Sequence, residues 1–130
     1  LPKSVIEIAA SSGVVSLNAP GNGVIVDNTW FATSFPGQVI INSARAELVD
    51  ESAIAEAIRA EKLFAYSADT LQGEKNSQSS PLMAPDISSK VTITAHLGAQ
   101  TIAAIDLMGT MATENVLAVL AGKAPINAVY

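Results

Sequence analysis

Four short apolar runs separated by stretches of helical period set the frame of this chain. Residues 14–18 (VVSLN), 38–42 (QVIIN), 63–68 (LFAYSA) and 91–95 (VTITA) have the length and Val/Ile content of strands, and each ends at a polar or turn-forming residue. In the last run Val91, Ile93 and Ala95 alternate, which predicts a buried strand stopping before His96. Between the runs lie helical patterns. Residues 3–10 read as the end of a short helix, broken around Ser11, Ser12 and Gly13. Asp27 can cap a helix over 28–34 that Pro36-Gly37 ends. Asp50 caps a helix over 51–62 with Ile54, Ala57 and Ile58 inward, acidic residues early, and Arg59 and Lys62 late, as the helix dipole favours. A long helix is predicted over 100–120, with Ile105, Met108, Ala112, Val116 and Leu120 on one face and Gly122 placed to end it. The segment 70–87, rich in Ser, Gln and Pro, reads as a long loop, and loops of that length in compact domains are functional or disordered.

Strands alternating with helices through short links predict an α/β fold: a parallel sheet of about four strands, flanking helices and right-handed crossovers. Such strands are expected to be buried on both faces. Asn18, Arg45, Asp69 and His96 then fall at or just beyond the C-terminal ends of four strands, on the rim where open α/β sheets bind ligands.

Composition narrows the picture. The chain has 130 residues, 49% of them hydrophobic and 15% charged, enough for one packed domain or part of one and too apolar for disorder. A net charge of −5 without a basic patch argues against a nucleic-acid partner. Cysteine is absent, which excludes disulfides and thiolate chemistry and accords with a reducing, cytoplasmic setting. No apolar run approaches the length of a membrane span, no membrane role is expected, and no cluster suggests a metal site. The chain starts at Leu1 within what reads as helix, so a fragment is the expected status.

His96 is the only histidine and therefore the first candidate for acid–base chemistry near neutral pH. Taken singly, a lone histidine is a structural group, Arg45 a surface cation, Glu74 a solvated loop residue and Asp69 the start of a turn. Three segments together change that: INSAR (41–45), SADTLQGE (67–74) and TAHLGA (94–99). In order and spacing they resemble the motifs of the D-isomer-specific 2-hydroxyacid dehydrogenases, and VVSLNAP, FPGQVIINSARAELVDE and ENVLAVLAGKAPINAVY extend the likeness along nearly the whole chain. The HLGA and NAVY wording is similar to the phosphoglycerate dehydrogenase branch.

The resemblance implies reversible hydride transfer between NAD (NADP remaining open) and a 2-hydroxy or 2-oxo acid, 3-phosphoglycerate being the branch's substrate. It implies that Arg45 clamps the substrate carboxylate, a task suited to a planar guanidinium. His96 would exchange the proton at the substrate oxygen, and Glu74 would orient the imidazole. Asp69 would hold the nicotinamide carboxamide, while Ala19, Ser43, Ala44, Arg45 and the run His96, Leu97, Gly98 and Ala99 would line the cofactor. Departures are Ala46 for a usual glycine, Lys75 and Ala95 for usual prolines, and a short PGNG turn at 20–23. No G-x-G-x-x-G follows a strand, nor is the ribose-binding acid present. The expected status is thus the C-terminal part of a Rossmann-like domain, inactive alone and completed by an N-terminal portion of a parent enzyme. The rival reading is a non-catalytic binding or dimerising module, pairing through an open edge at 14–18 or the long helix.

Overall fold

The structure, a computed structural model, describes residues 4–74 and 79–128. Two compact units divide at residue 96. The first holds a four-stranded parallel sheet in the order β1 (Val14–Leu17), β2 (Gln38–Asn42), β3 (Leu63–Ala68) and β4 (Val91–Ile93). With α1 (Val5–Ser11), α2 (Asn28–Thr33) and α3 (Glu51–Arg59), it is the expected α/β arrangement.

The register explains the core. Val15 pairs with Ile40 and Ile40 with Tyr66, while Leu17 pairs with Asn42 and Asn42 with Ala68. All of these are buried and share one face of the sheet. Ile54, Ala57 and Ile58 of α3, the predicted stripe, join them in the core. On the other face Ser16, Ile41, Ser67 and Thr92 stand in register and none is buried. The sheet is therefore buried on one face, not on both. Edge strand β4 is only half-buried and ends at Ile93, two residues early, because the chain must turn into His96.

Several element ends differ from expectation for identifiable reasons. The first helix starts within the described chain: the Ser4 hydroxyl accepts the Glu7 N–H, and the Glu7 carboxylate accepts the Ser4 N–H in return, a complete capping box. It is a helix with its own beginning rather than the tail of a longer one. Helix α3 stops at Arg59 instead of 62. Glu61 adopts φ 57°, its N–H bonds the Ile58 carbonyl, and Lys62 N–H bonds the Ala57 carbonyl, a Schellman turn that delivers Leu63 to β3.

The described part of the segment 70–87 is not a polar excursion. Leu71, Leu82 and Ile87 are buried, short 3₁₀ turns occupy Pro81–Met83 and Pro85–Lys90, and Asp86 receives a two-pronged ion pair from Arg59. Lys75 lies outside the described residues, as do Val129 and Tyr130 of the NAVY ending. A buried amide ties the helices to the sheet. Gln38 accepts from Trp30 Nε1 at 2.7 Å and donates to the Ala9 and Ser12 carbonyls.

The second unit is α4 (Ile102–Leu120) with the turns around it. Thr101 caps its start, and Gly122, at φ 71°, ends it in a second Schellman turn. The predicted stripe is not the covered one. Ile105, Met108, Val116 and Leu120 are exposed, and the half-buried positions are Ala104, Met111, Asn115 and Ala118. Asn115 accepts the Asn127 N–H at 2.9 Å, folding the tail back along the helix. By length and mean hydropathy (1.3), α4 is also sufficient to cross a membrane, which corrects the expectation from sequence. The average hides two acids, Asp106 and Glu114, little more than two turns apart, which break the run that a search for unbroken apolar sequence requires.

Candidate active site

Because all four strands run parallel, their C-terminal ends place the segments after Leu17, Asn42, Ala68 and Ile93 on one rim. At the β4 end His96 takes φ 54°, a left-handed conformation unusual for a residue with a side chain. After β3, Gly73 turns the chain with φ 62°, directly before Glu74. The two side chains meet: His96 Nδ1 lies 2.9 Å from Glu74 Oε1. Both are about half exposed, so the pair is open to solvent and to a ligand.

Asp69 stands at the end of β3, and the Thr94 hydroxyl donates a hydrogen bond to its Oδ1. Asp69, Leu71, Glu74, Ile93, Thr94 and His96 all line a cavity of about 360 Å³. That volume suits a nicotinamide-sized ring with a small acid and is at the small end of ligand pockets generally. The polar lining offers a carboxylate for an amide N–H and an imidazole for a hydroxyl. The residues present therefore fit the nicotinamide end of a dinucleotide.

Arg45 is a partial exception to the expected grouping. It follows β2 on the same rim, yet its Nη1 donates to the Ala44 carbonyl at 2.8 Å, and it is absent from the cavity lining. Among the described residues it makes no ion pair. Its backbone, by contrast, is held. Asn42, fully buried, donates from Nδ2 to the Arg45 carbonyl at 2.8 Å and accepts the Ala44 N–H at 3.2 Å. Ala46 opens a 3₁₀ turn without a positive φ, so the missing glycine costs the backbone nothing there.

Of the other predicted cofactor positions, Ser43 and Ala44 form the turn that Asn42 braces, and half-buried Ala19 follows β1. Leu97, Gly98 and Ala99 open the second unit in a turn closed by Gln100 N–H on the Leu97 carbonyl.

Sequence reading passed over Asn42, Thr94 and a buried acid, Glu51, which is bonded to Gln72 and Ser80. Asn42 did carry a signal: it occupies an inward position two residues beyond Ile40 in an apolar strand, and a buried amide there must have partners. Beside it, burial pushes the Tyr66 phenol up to about 12, with the Glu51 charge adding to the shift. Asn42 is close enough to favour the phenolate, but the Tyr66 hydroxyl forms no hydrogen bond of acceptable geometry among the described residues.

A parallel sheet whose strand ends gather an imidazole–carboxylate pair, a second carboxylate and a braced arginine defines the class: an α/β domain of the dinucleotide-binding type. The family model described as D-isomer specific 2-hydroxyacid dehydrogenase, NAD binding domain, matches residues 2–98, and the chain belongs to that family. Among curated relatives, D-3-phosphoglycerate dehydrogenase from Mycobacterium leprae (strain TN) is 38% identical over 80% of this chain, and that from Archaeoglobus fulgidus 30% over 94%. The chain spans only 19% and 23% of their lengths. The TT0316 protein from Thermus thermophilus superposes with a TM-score of 0.87 at 31% identity, covering 98% of this chain and 41% of that one. The holo form of Rhodotorula graminis D-mandelate dehydrogenase does so at 0.84 and 27%, covering 99% and 38%.

Proposed function

We propose that this chain is the acid–base half of an NAD-dependent D-2-hydroxyacid dehydrogenase, acting on a 3-phosphoglycerate-like hydroxy acid. The observation that carries the reading is the His96–Glu74 pair, 2.9 Å apart at the sheet rim. Glu74 accepts from Nδ1, which sets the ring orientation and leaves Nε2 to take the hydroxyl proton of a 2-hydroxy acid, or to return it to a 2-oxo acid. The imidazolium formed in the oxidation direction is stabilised by the same carboxylate. Bound NAD supplies the hydride acceptor. Asp69, steadied by Thr94, accepts from the nicotinamide amide, and the backbones at Ala19, Ser43, Ala44, Leu97, Gly98 and Ala99 line the cofactor. Arg45 leaves the Ala44 carbonyl and grips the substrate carboxylate bidentately, with its backbone held by Asn42.

The phosphoglycerate assignment is supported by the phosphoglycerate dehydrogenases at 30–38% identity. A reductase for glyoxylate and hydroxypyruvate from Shigella boydii, also 30% identical, keeps other small hydroxy acids within the same chemistry. The pyrophosphate-gripping glycine turn is not in these residues, so catalysis needs the remainder of a parent enzyme, N-terminal to this portion. The unpaired edge of β1 and exposed α4 are suited to contacts with that portion and with a second copy in a cytoplasmic homodimer.

The test is made in the parent enzyme. His96→Asn is expected to lower kcat on 3-phosphoglycerate by roughly 10²–10⁴, far more than it weakens NADH binding read by fluorescence. The 130-residue chain alone is expected to show no turnover. Efficient oxidation by the isolated chain, or full activity of His96→Asn, refutes the reading.

A further inference from the structure

The carboxylate that meets His96 belongs to a segment fastened to α3 by a single buried acid. Glu51, the residue after the Asp50 cap, is 5% exposed. Its Oε1 accepts the Gln72 backbone N–H at 2.7 Å, and its Oε2 accepts the Ser80 hydroxyl at 2.6 Å. Gln72 adds a tie of its own, Nε2 to the Val49 carbonyl at 2.9 Å. The two donors flank Glu74 in sequence, and Gly73 turns the backbone between Gln72 and Glu74.

Stability alone is a poor reason for a buried carboxylate. Replacing buried charges with packed apolar groups is often neutral or stabilising, whereas removing one partner is costly. Donors and the positive end of α3 make the burial tolerable here. What an apolar plug cannot supply is direction. One charge-assisted bond fixes the backbone at Gln72, two residues from the Glu74 carboxylate, while the Ser80 hydroxyl occupies the other oxygen and keeps the acid in place.

We infer that Glu51 is a positioning residue: through the Gln72 backbone it holds the turn that presents the Glu74 carboxylate to His96 Nδ1, and so keeps the neutral ring in its Nδ1–H tautomer. The inference rests on the reading of Glu74 as the orienting partner of His96. A free imidazole prefers the other tautomer, so a displaced Glu74 lets the proton move to Nε2 and blocks the nitrogen needed as base.

His96 is the only histidine, so proton–nitrogen correlation NMR of the labelled chain at alkaline pH reads one ring without ambiguity. Wild-type protein is expected in the Nδ1–H form and Glu74→Ala mainly in the Nε2–H form. Glu51→Ala is expected to reproduce at least half of the Glu74→Ala change. Glu51→Gln, with one acceptor oxygen for two donors, is expected to fall between Glu51→Ala and wild type. Phe31→Leu, a core change on α2, lowers stability and should leave the tautomer alone; this separates positioning from mere destabilisation. Glu51→Gln keeps the shape of the side chain and decides the matter if Glu51→Ala does not fold. If Glu74→Ala shifts the ring while the Glu51 variants do not, this inference is overturned and the reading of the pair stands. If Glu74→Ala itself is silent, both fall.

Discussion

His96 and Gly73 show how much of the site is a backbone matter. Gly73 takes φ 62° without a Cβ to object, and nothing among the described residues lies within 4 Å of where one would be. Gly73→Ala should therefore act through the backbone alone: about 1 kcal/mol of lost stability by urea unfolding, with a fall in parent-enzyme kcat exceeding that in affinity as Glu74 swings off line. At this scale Arg45, Glu74 and His96 could be picked out as candidates because a family wording surrounds them, and the Glu74–His96 contact agrees with that while the Arg45 guanidinium turns to Ala44. Asn42, Glu51 and Thr94 were not. Each is a polar residue whose role is defined by what it bonds: Glu51 at a helix start reads as support for the dipole until its oxygens are found on Gln72 and Ser80.

Among the elements, strands were easier to foresee than the ends of helices. The bounds of β2 and β3 match the apolar runs residue for residue, since a buried strand needs an apolar run and little else. Helix α3 overran in the sequence reading because Ala60, Glu61 and Lys62 continue a helical composition, and the reversal that stops it uses a non-glycine residue at φ 57°. Glu61→Gly removes that strain. It is expected to raise stability by about 1 kcal/mol, read as a higher urea midpoint with an unchanged slope. Asp50→Ala, which strips the carboxylate cap from the Ser52 and Ala53 amides, should lose about the same amount. Together the two variants bracket how much of α3 is set by its ends.

For the whole first unit, the buried Tyr66 phenol gives a pH signature. Its folded value, about 12, lies above the ordinary 10. As pH rises past 10 the unfolded chain sheds this proton first, so folded stability falls, and the loss is complete once pH passes the folded value. The loss is of order 2–3 kcal/mol, seen as a urea midpoint that drops between pH 9 and 12 and is flatter in Tyr66→Phe. The same scale holds the features that no segment announces. One face of the sheet is left uncovered, both β1 and β4 are edges, and α4 has no buried side chain. Local periodicity had suggested an inner stripe on α4, but periodicity says which residues could be covered, and coverage is a property of neighbours.

The order of strands and helices, the parallel sheet and the identity of an imidazole, a guanidinium and two carboxylates on its rim were determined by the sequence, because alternation, caps and turn residues act over a few positions. Three things were settled only by tertiary structure. Glu74 and His96, twenty-two positions apart, reach hydrogen-bond distance; Arg45 turns to its own backbone; and Glu51 is buried under a loop that reads as solvent-exposed. The first and the third depend on the approach of segments distant in the chain, and the second on where a flexible side chain finds its partner; the local pattern encodes neither.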